Sequence, residues 1–394
     1  MKRLVIAVVL LLNGCKKEST ATVTTKSDAA TEAAASEVRE GWTIGKAVRI
    51  EAEGTPAALE EIGDGSWIVF GPRGDTALYG DLETTTLWPQ KQSLRIAKAR
   101  GGRFSPEGDK ALVWTVDYWK RATTTTVFAT TDLHTILTLD HAEDPFWTTR
   151  GTVAFVRGGQ LYEVAATTGA TPKLVGPPTP LTERSSPTEK RRAAPDLSYV
   201  IVASKAGAKK IDLATGKESY LVKGDETPAL ASDGTRACTR LFFGKEHYNV
   251  VCGPDEVLVT TVGEQPTDLG FLSPTKIWIR FKETNELRVA DLATKTLSPL
   301  VLPVPAGRLT LTALPGDRFA IVHEHYETFD RPRGIVDFRT GKLTRIELDD
   351  FRQHGLRLEG SSDDTAFGLV YQAHPDVSAP DGGPGKLFRI RPRR

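Results

Sequence analysis

The sequence predicts an all-β chain folded as a single β-propeller, with eight blades of about 42 residues and seven as the alternative count. Three observations predict it: a repeated strand–turn–strand unit, its even spacing, and a second hairpin signal inside the repeat. The unit is clearest at Arg103–Trp114 (RFSPEGDKALVW), where Ser105-Pro106-Glu107-Gly108 forms a tight turn between two strands. Proline presets φ at the second turn position, and glycine accepts the positive φ that closes it. Variants stand at EIGDGSWIVF (61–70), WTTRGTVAFV (147–156), AAPDLSYVIV (193–202), ALASDGTRAC (229–238), FLSPTKIWIR (271–280), ALPGDRFAIV (313–322) and GSSDDTAFGLV (360–370). Their markers, Asp64, Glu107, Arg150, Asp196, Asp233, Pro274, Gly316 and Asp363, follow one another at intervals of 37 to 47 residues.

The first residues read as an address. Lys2 and Arg3 form a positive start, and Leu4–Leu12 is an apolar run. As a helix it would span only about 14 Å, too short for a bilayer, so residues 1–14 are expected to be a cleaved signal peptide. Leu12-Asn13-Gly14-Cys15 resembles a bacterial lipobox, with Asn13 departing from the usual small residue. Lipidation at Cys15 is the expectation, and plain secretion with an incidental cysteine the alternative. Residues 16–40 are Thr, Ala, Ser and charge, too poor in apolar groups to order themselves. Together, residues 15–40 form the lipidated cysteine and a disordered tether, reaching about 25–30 Å to a body at 41–394. Lys16 is not the Asp that resembles an inner-membrane retention signal, which favours outer-membrane attachment, on the periplasmic or surface side.

The chain carries 51 basic and 50 acidic residues, a balance that argues against nucleic acid as a partner. With Cys15 taken by lipid, Cys238 and Cys252 are left as a pair for an oxidising compartment. The segment 238–252 (CTRLFFGKEHYNVVC) reads as a hairpin centred on Lys245, which sets Phe242 opposite Tyr248 and Cys238 opposite Cys252. A disulfide follows, with two buried thiols as the alternative if a bulge separates them.

In each unit the strand before the turn is taken as the innermost, A, followed by B, C and D. Asp81-Leu-Glu-Thr, Asp212-Leu-Ala-Thr-Gly, Asp291-Leu-Ala-Thr-Lys and Asp337-Phe-Arg-Thr-Gly mark the C–D hairpins. Turn structure alone explains these aspartates. With its Ser-Pro-acid-Gly turn before an apolar strand, best at Phe104–Trp114, the chain resembles the WD40-like (PD40) propeller repeats of the TolB type. The resemblance implies a propeller and transfers no function, because such repeats serve scaffolds, binders and enzymes alike.

The eighth unit shows strands near 355–360, 365–372 and 386–391 and needs a fourth. The alternating strand Lys46–Glu51 is the expected outer strand that closes the last blade.

Long connections are expected on the face of the B–C and D–A loops, at Tyr118–Thr126, Gly176–Arg192, Tyr326–Arg333 and Ala373–Gly385. They gather Tyr118, Trp119, Arg121, Arg191, Arg192, Tyr326, Phe329 and Arg331, residue types enriched at binding hot spots. The alternative is solvated loop charge. Catalytic motifs are lacking. His323-Glu324-His325-Tyr326-Glu327 misses the H-E-x-x-H zinc motif, although His323 and His325 share a strand face and could join a third ligand. No cofactor is expected. The reading is a lipid-anchored envelope module that binds or scaffolds a protein, peptide or glycan, not an enzyme. The alternative is a propeller hydrolase or lyase with a metal or carboxylate site at the central channel.

Overall fold

Backbone pairing between short antiparallel strands builds the whole described body; every regular element among the described residues is a strand. The computed structural model describes residues 41–391 except 82, 97–98, 118–121, 177–189, 225, 232, 244–246, 256, 263–264, 283, 305–307, 314–317, 327–328, 348–354, 361–366 and 373–384. Residues 1–40, with the expected leader, lipidated Cys15 and tether, lie outside the described residues.

The described strands fall into eight four-stranded meanders in chain order: 67–95, 99–140, 143–174, 190–223, 229–262, 266–301, 309–345 and a last at 355–390. The eighth takes its fourth strand, Leu59–Gly65, from the start of the body.

The turn chemistry repeats at atomic level. In the second sheet Ser105 N donates to Lys110 O at 2.9 Å and Gly108 N to Ser105 O at 2.9 Å, with Gly108 at φ 79°. The same pair of bonds recurs at Gly71/Thr76 and Gly74/Gly71, Thr148/Thr152 and Gly151/Thr148, Ala194/Tyr199 and Leu197/Ala194, and Ala231/Arg236 and Gly234/Ala231. In the fourth sheet a leucine, Leu197, holds the left-handed position at φ 60°, a cost of roughly 1–2 kcal/mol for a residue with a Cβ. Its side chain is buried among Val200, Ile211 and Leu213, which offsets that strain. Arg73, not Asp64, therefore occupies the repeat position in the first sheet, and Asp64 belongs to the strand before it. The C–D aspartates cap their own turns. Asp212 Oδ1 accepts from the amides of Ala214 and Thr215 and from the Thr215 hydroxyl at 2.8–3.1 Å. The Thr215 hydroxyl and amide hold its carboxyl below the ordinary range. Asp291 accepts from the amides two and three residues ahead in the same way. Asp81 does so too, but it stands between the second and third strands of the first sheet, Ala77–Gly80 and Thr84–Trp88, and so caps a B–C turn and not the expected C–D hairpin.

The N-terminal segment departs from expectation. Lys46–Glu51 is not one strand and does not pair with the last sheet. Thr43–Ile44 and Val48–Arg49 lie parallel on the outer strand of the sixth sheet, and Glu51–Ala52 lies parallel on that of the seventh. Apolar spacing explains this path. Trp42 is buried between sheets five and six, Ile50 between six and seven, and Ala57 between seven and eight. Burying a large apolar side chain contributes roughly 1.5–3 kcal/mol, so Trp42 and Ile50 hold the segment across neighbouring sheets. The segment then turns inward as Leu59–Gly65, antiparallel to Gly385–Ile390.

Apolar clusters fill the space between consecutive sheets. Phe128 packs with Trp67 and Leu78 between the first and second, and Phe155 with Leu112 and Val127 between the second and third. The last sheet also meets the first: Ile62 and Leu387 pack against Ile68, Phe70 and Ala77. Arg389 is 4% exposed at this junction. Its Nε donates to Glu60 Oε2 at 3.0 Å and its Nη1 to Gly74 O at 2.8 Å, while its guanidinium lies 4.4 Å from the Trp88 ring centre.

In the fifth sheet Cys238 stands directly opposite Cys252, and Phe242 opposite Tyr248. The Cα atoms of the two cysteines are 4.1 Å apart and their sulfurs 2.08 Å apart, a disulfide distance. Non-reduced exported protein is expected to show no alkylation at Cys238 or Cys252 by mass spectrometry; two alkylated thiols would contradict the bond.

Candidate functional site

The fourth sheet is dense in lysine, with Lys205, Lys209, Lys210, Lys217 and Lys223 within 205–223. Its second and third strands, Tyr199–Ser204 and Gly207–Asp212, are joined by a two-residue turn at Lys205-Ala206. Gly207, at φ 112°, starts the third strand pressed against the fourth, Glu218–Lys223. A Cβ on Gly207 would stand 2.2 Å from Val222 O, so a side chain there would force the strands apart.

The pairing that follows creates the site. Lys223 lies opposite Gly207, Val222 opposite Ala208, and Tyr220 opposite Lys209, which leaves Leu221 as an extra residue in a bulge. In a regular strand, residues three apart point to opposite faces. The bulge resets the alternation: Leu221 and Val222 are both buried, while Tyr220 and Lys223 both reach solvent. Tyr220 is 47% exposed, with Lys223 Nζ 5.0 Å and Lys209 Nζ 5.1 Å from its ring centre. Lys209 Nζ also pairs with Glu218 Oε2 at 3.2 Å, and the bonds to Glu218 and to Tyr220 hold its pKa above the usual lysine value.

Lys205, Ala206, Tyr220, Lys223, Gly224 and Leu241 line an open cleft of about 650 Å³ at the B–C end of the fourth and fifth sheets. Among the described residues, Lys205 and Lys223 have no carboxylate partner. An exposed ring held between ammonium groups, beside the apolar wall of Leu241, can stack on a planar or sugar surface while the cations take an anionic group. Each such cation–ring contact contributes about 0.5–1 kcal/mol at an exposed site, enough to orient the side chains.

The residues expected from the sequence are placed differently. Tyr118, Trp119 and Arg121 lie outside the described residues. The connection there shortens to 118–121, because Ala122–Ala129 is a strand paired with Lys110–Asp117. Tyr326–Arg333 is not a long loop either. Phe319–Tyr326 and Phe329–Asp337 form a hairpin with Tyr326 opposite Phe329 and Arg331 opposite Glu324; the side chains of Tyr326, Phe329 and Arg331 lie outside the described ones. Glu324 pairs with Arg333.

Arg191 and Arg192 sit in the strand Lys190–Ala193, not in a loop. Arg192 Nη1 donates to Ala231 O at 3.0 Å, at the A–B turn end, away from the expected face. There it neighbours a cluster that the sequence did not single out. Arg103, on the first strand of the second sheet, reaches solvent yet is walled in by protein, and this crowding pushes its guanidinium below the usual range. The Asp144 carboxylate counteracts that shift and Arg192 adds to it. His323 is buried in Phe319–Tyr326 opposite Thr310, and the side chain of His325 lies outside the described ones. Among the described residues no three His, Cys, Asp or Glu side chains converge as metal ligands.

The cleft escaped sequence reading because Tyr220 and Lys223 share a face only through the bulge. The signal that could have found it is the lysine density around Gly207.

No protein-family model matches the chain, and no curated protein matches it significantly. Among solved structures it is similar to the propeller of Dos1, at 11% identity over 85% of this chain and 94% of that one, with a TM-score of 0.51. It is also similar to dihydro-heme d1 dehydrogenase NirN at 14% identity, covering 83% and 80% of the two chains with a TM-score of 0.45. A third similarity is to the β-propeller domain of Myceliophteria thermophila Cps50 (Swd1), at 10% identity over 86% and 99%, with a TM-score of 0.43. At these identities only the fold carries over, and the Dos1 likeness is the one that carries it: the chain has a β-propeller fold.

Proposed function

We propose that this chain is a lipid-anchored β-propeller of the cell envelope that binds an anionic stretch of a protein, peptide or glycan through the face of its B–C and D–A connections. The observation that carries the binding reading is Tyr220, half-exposed between Lys209 and Lys223 in an open cleft on that face. Tyrosine offers a large contact area at a binding surface, and the exposed lysines beside it favour a negatively charged partner.

The propeller is read as eight-bladed, of the WD40-like TolB type, with Leu59–Gly65 as the strand that closes it. Eight meanders, the repeated turn bonds and the apolar contact between last and first sheets support that count. The anchor is read from Lys2, Arg3, the apolar run Leu4–Leu12 and Cys15, and Lys16 after the cysteine favours attachment at the outer membrane. Replacing Cys15 by Ser is expected to move the protein from the membrane to the soluble fraction; retention on membranes washed in high salt would contradict the anchor.

The binding reading is tested by calorimetric titration with poly-L-glutamate. Wild type is expected to bind with an affinity that falls as salt rises. The Tyr220→Ala/Lys223→Ala variant is expected to bind at least about tenfold more weakly, a loss of roughly 1.4 kcal/mol, with its melting temperature unchanged. Equal affinity in the variant, or no binding by wild type, would overturn the reading.

A further inference from the structure

At the other end of the strands, a second and smaller cavity lies between the seventh and eighth sheets under the N-terminal segment. Its floor follows from register. Phe319, Asp337 and Lys342 stand opposite one another on three neighbouring strands of the seventh sheet. Two residues along, Ile321, Ile335 and Thr344 do the same, and Glu53 lies beside Thr344 through its amide bond to Leu343 O. Alternation puts both rows on one face. That face therefore grades from apolar at Phe319 and Ile335 to charged at Lys342. Ile390 and Arg391, at the end of the last strand, form the facing wall, and Ala57 closes the side.

The cavity measures about 180 Å³. That is the volume of roughly six waters at about 30 Å³ each, below the roughly 300 Å³ where sites for drug-sized ligands begin. Its charges are unevenly committed. Asp337 is buried and bound by Arg318, whose Nη2 donates at 2.7 Å and whose Nε donates at 3.2 Å; Arg339 N adds a bond at 2.9 Å. Burial works against the Asp337 charge, but the Arg318 and Arg339 donors outweigh it and hold the carboxyl below its ordinary value. Arg318 in turn lies 4.5 Å over the Phe319 ring. Glu53 Oε2 accepts the Thr344 hydroxyl at 2.5 Å. Among the described residues no carboxylate answers Lys342 or Arg391. The cavity thus combines an apolar surface of Phe319, Ile335 and Ile390, the Asp337 carboxylate answered by Arg318, the Glu53 carboxylate held by the Thr344 hydroxyl, and Lys342 and Arg391 at its rim, so its lining carries more cations than carboxylates.

We infer that this cavity is a binding site for a small carboxylate with a short apolar tail, its carboxylate held by Lys342 and Arg391 and its tail packed on Phe319, Ile335 and Ile390. A cation of the same shape would meet Lys342 and Arg391 with like charge, so the site discriminates by sign. It is independent of the proposed polymer-binding cleft, which lies at the opposite end of the strands and shares no residue with it.

The test uses 4-methylpentanoate as the probe and 4-methylpentan-1-amine as its opposite-charge counterpart, titrated into the exported, disulfide-intact protein by NMR. Saturable binding of the acid at or below about 10 mM is expected, with no saturable binding of the amine. Lys342→Gln and Arg391→Gln are each expected to weaken acid binding at least fivefold while the melting temperature stays that of wild type. Phe319→Leu, which keeps an apolar floor, reads tail packing separately and is expected to weaken the acid without admitting the amine. The inference is overturned by absence of saturable acid binding, by equal binding of the amine, or by full acid affinity in both charge variants.

Discussion

The pairing of Leu59–Gly65 with Gly385–Ile390 is the interaction on which the rest of the body depends. Every other four-stranded meander is local, built from strands adjacent in sequence, and forms without a long loop to close. This one joins residues more than three hundred positions apart. It must offset a closure entropy that grows only logarithmically with length, which a long ladder with a buried arginine can do. Arg389 is the critical contact: buried, bound to Glu60 and to the Gly74 carbonyl, and stacked on Trp88, it ties the last strand to Leu59–Gly65 and to the first sheet at once. Glu60 is the half-exposed end of this pair and Arg389 the buried one, so it is the loss of Glu60 that would leave a charge poorly answered away from water.

Upstream of that strand, the N-terminal segment works as a strap. Its three buried residues, Trp42, Ile50 and Ala57, enter three successive inter-sheet clusters, so the sheets they join are held from outside as well as by their own packing. The strap also roofs the carboxylate cavity through Glu53 and Ala57. The lysine-flanked tyrosine, by contrast, depends on one bulge and on Gly207. Each candidate site is thus a by-product of how a strand end is secured, and the two lie at opposite ends of the strands.

Much of the fold was legible because it rests on local chemistry repeated many times. The turn at Ser105-Pro106-Glu107-Gly108 announces itself through proline and glycine, and the C–D aspartates through the amides they cap. The Cys238–Cys252 register could be read from a symmetric hairpin. What could not be read was long-range. Leu59–Gly65 (LEEIGDG) lacks alternation and carries three acids and two glycines, so its strand character comes from its partner and not from propensity. Lys46–Glu51 alternates well, yet it follows the buried positions of Trp42 and Ile50 across two sheets. The expected long loops at 118–126 and 326–333 contract because the flanking strands run further than their turn residues suggested. Tyr220 was hidden for the converse reason: an irregularity put it beside Lys223, and a two-residue period cannot foresee a bulge.

Native-state hydrogen exchange read by mass spectrometry, following the peptides that contain 59–65 and 385–390, reports whether these two strands hold the body together. If these two strands secure the whole body, their amides exchange together, at the slow rate of the most protected strands such as Ile277–Phe281, and only through global unfolding. Fast exchange of 59–65 while the central strands stay protected would show a frayed edge instead, and would contradict the account.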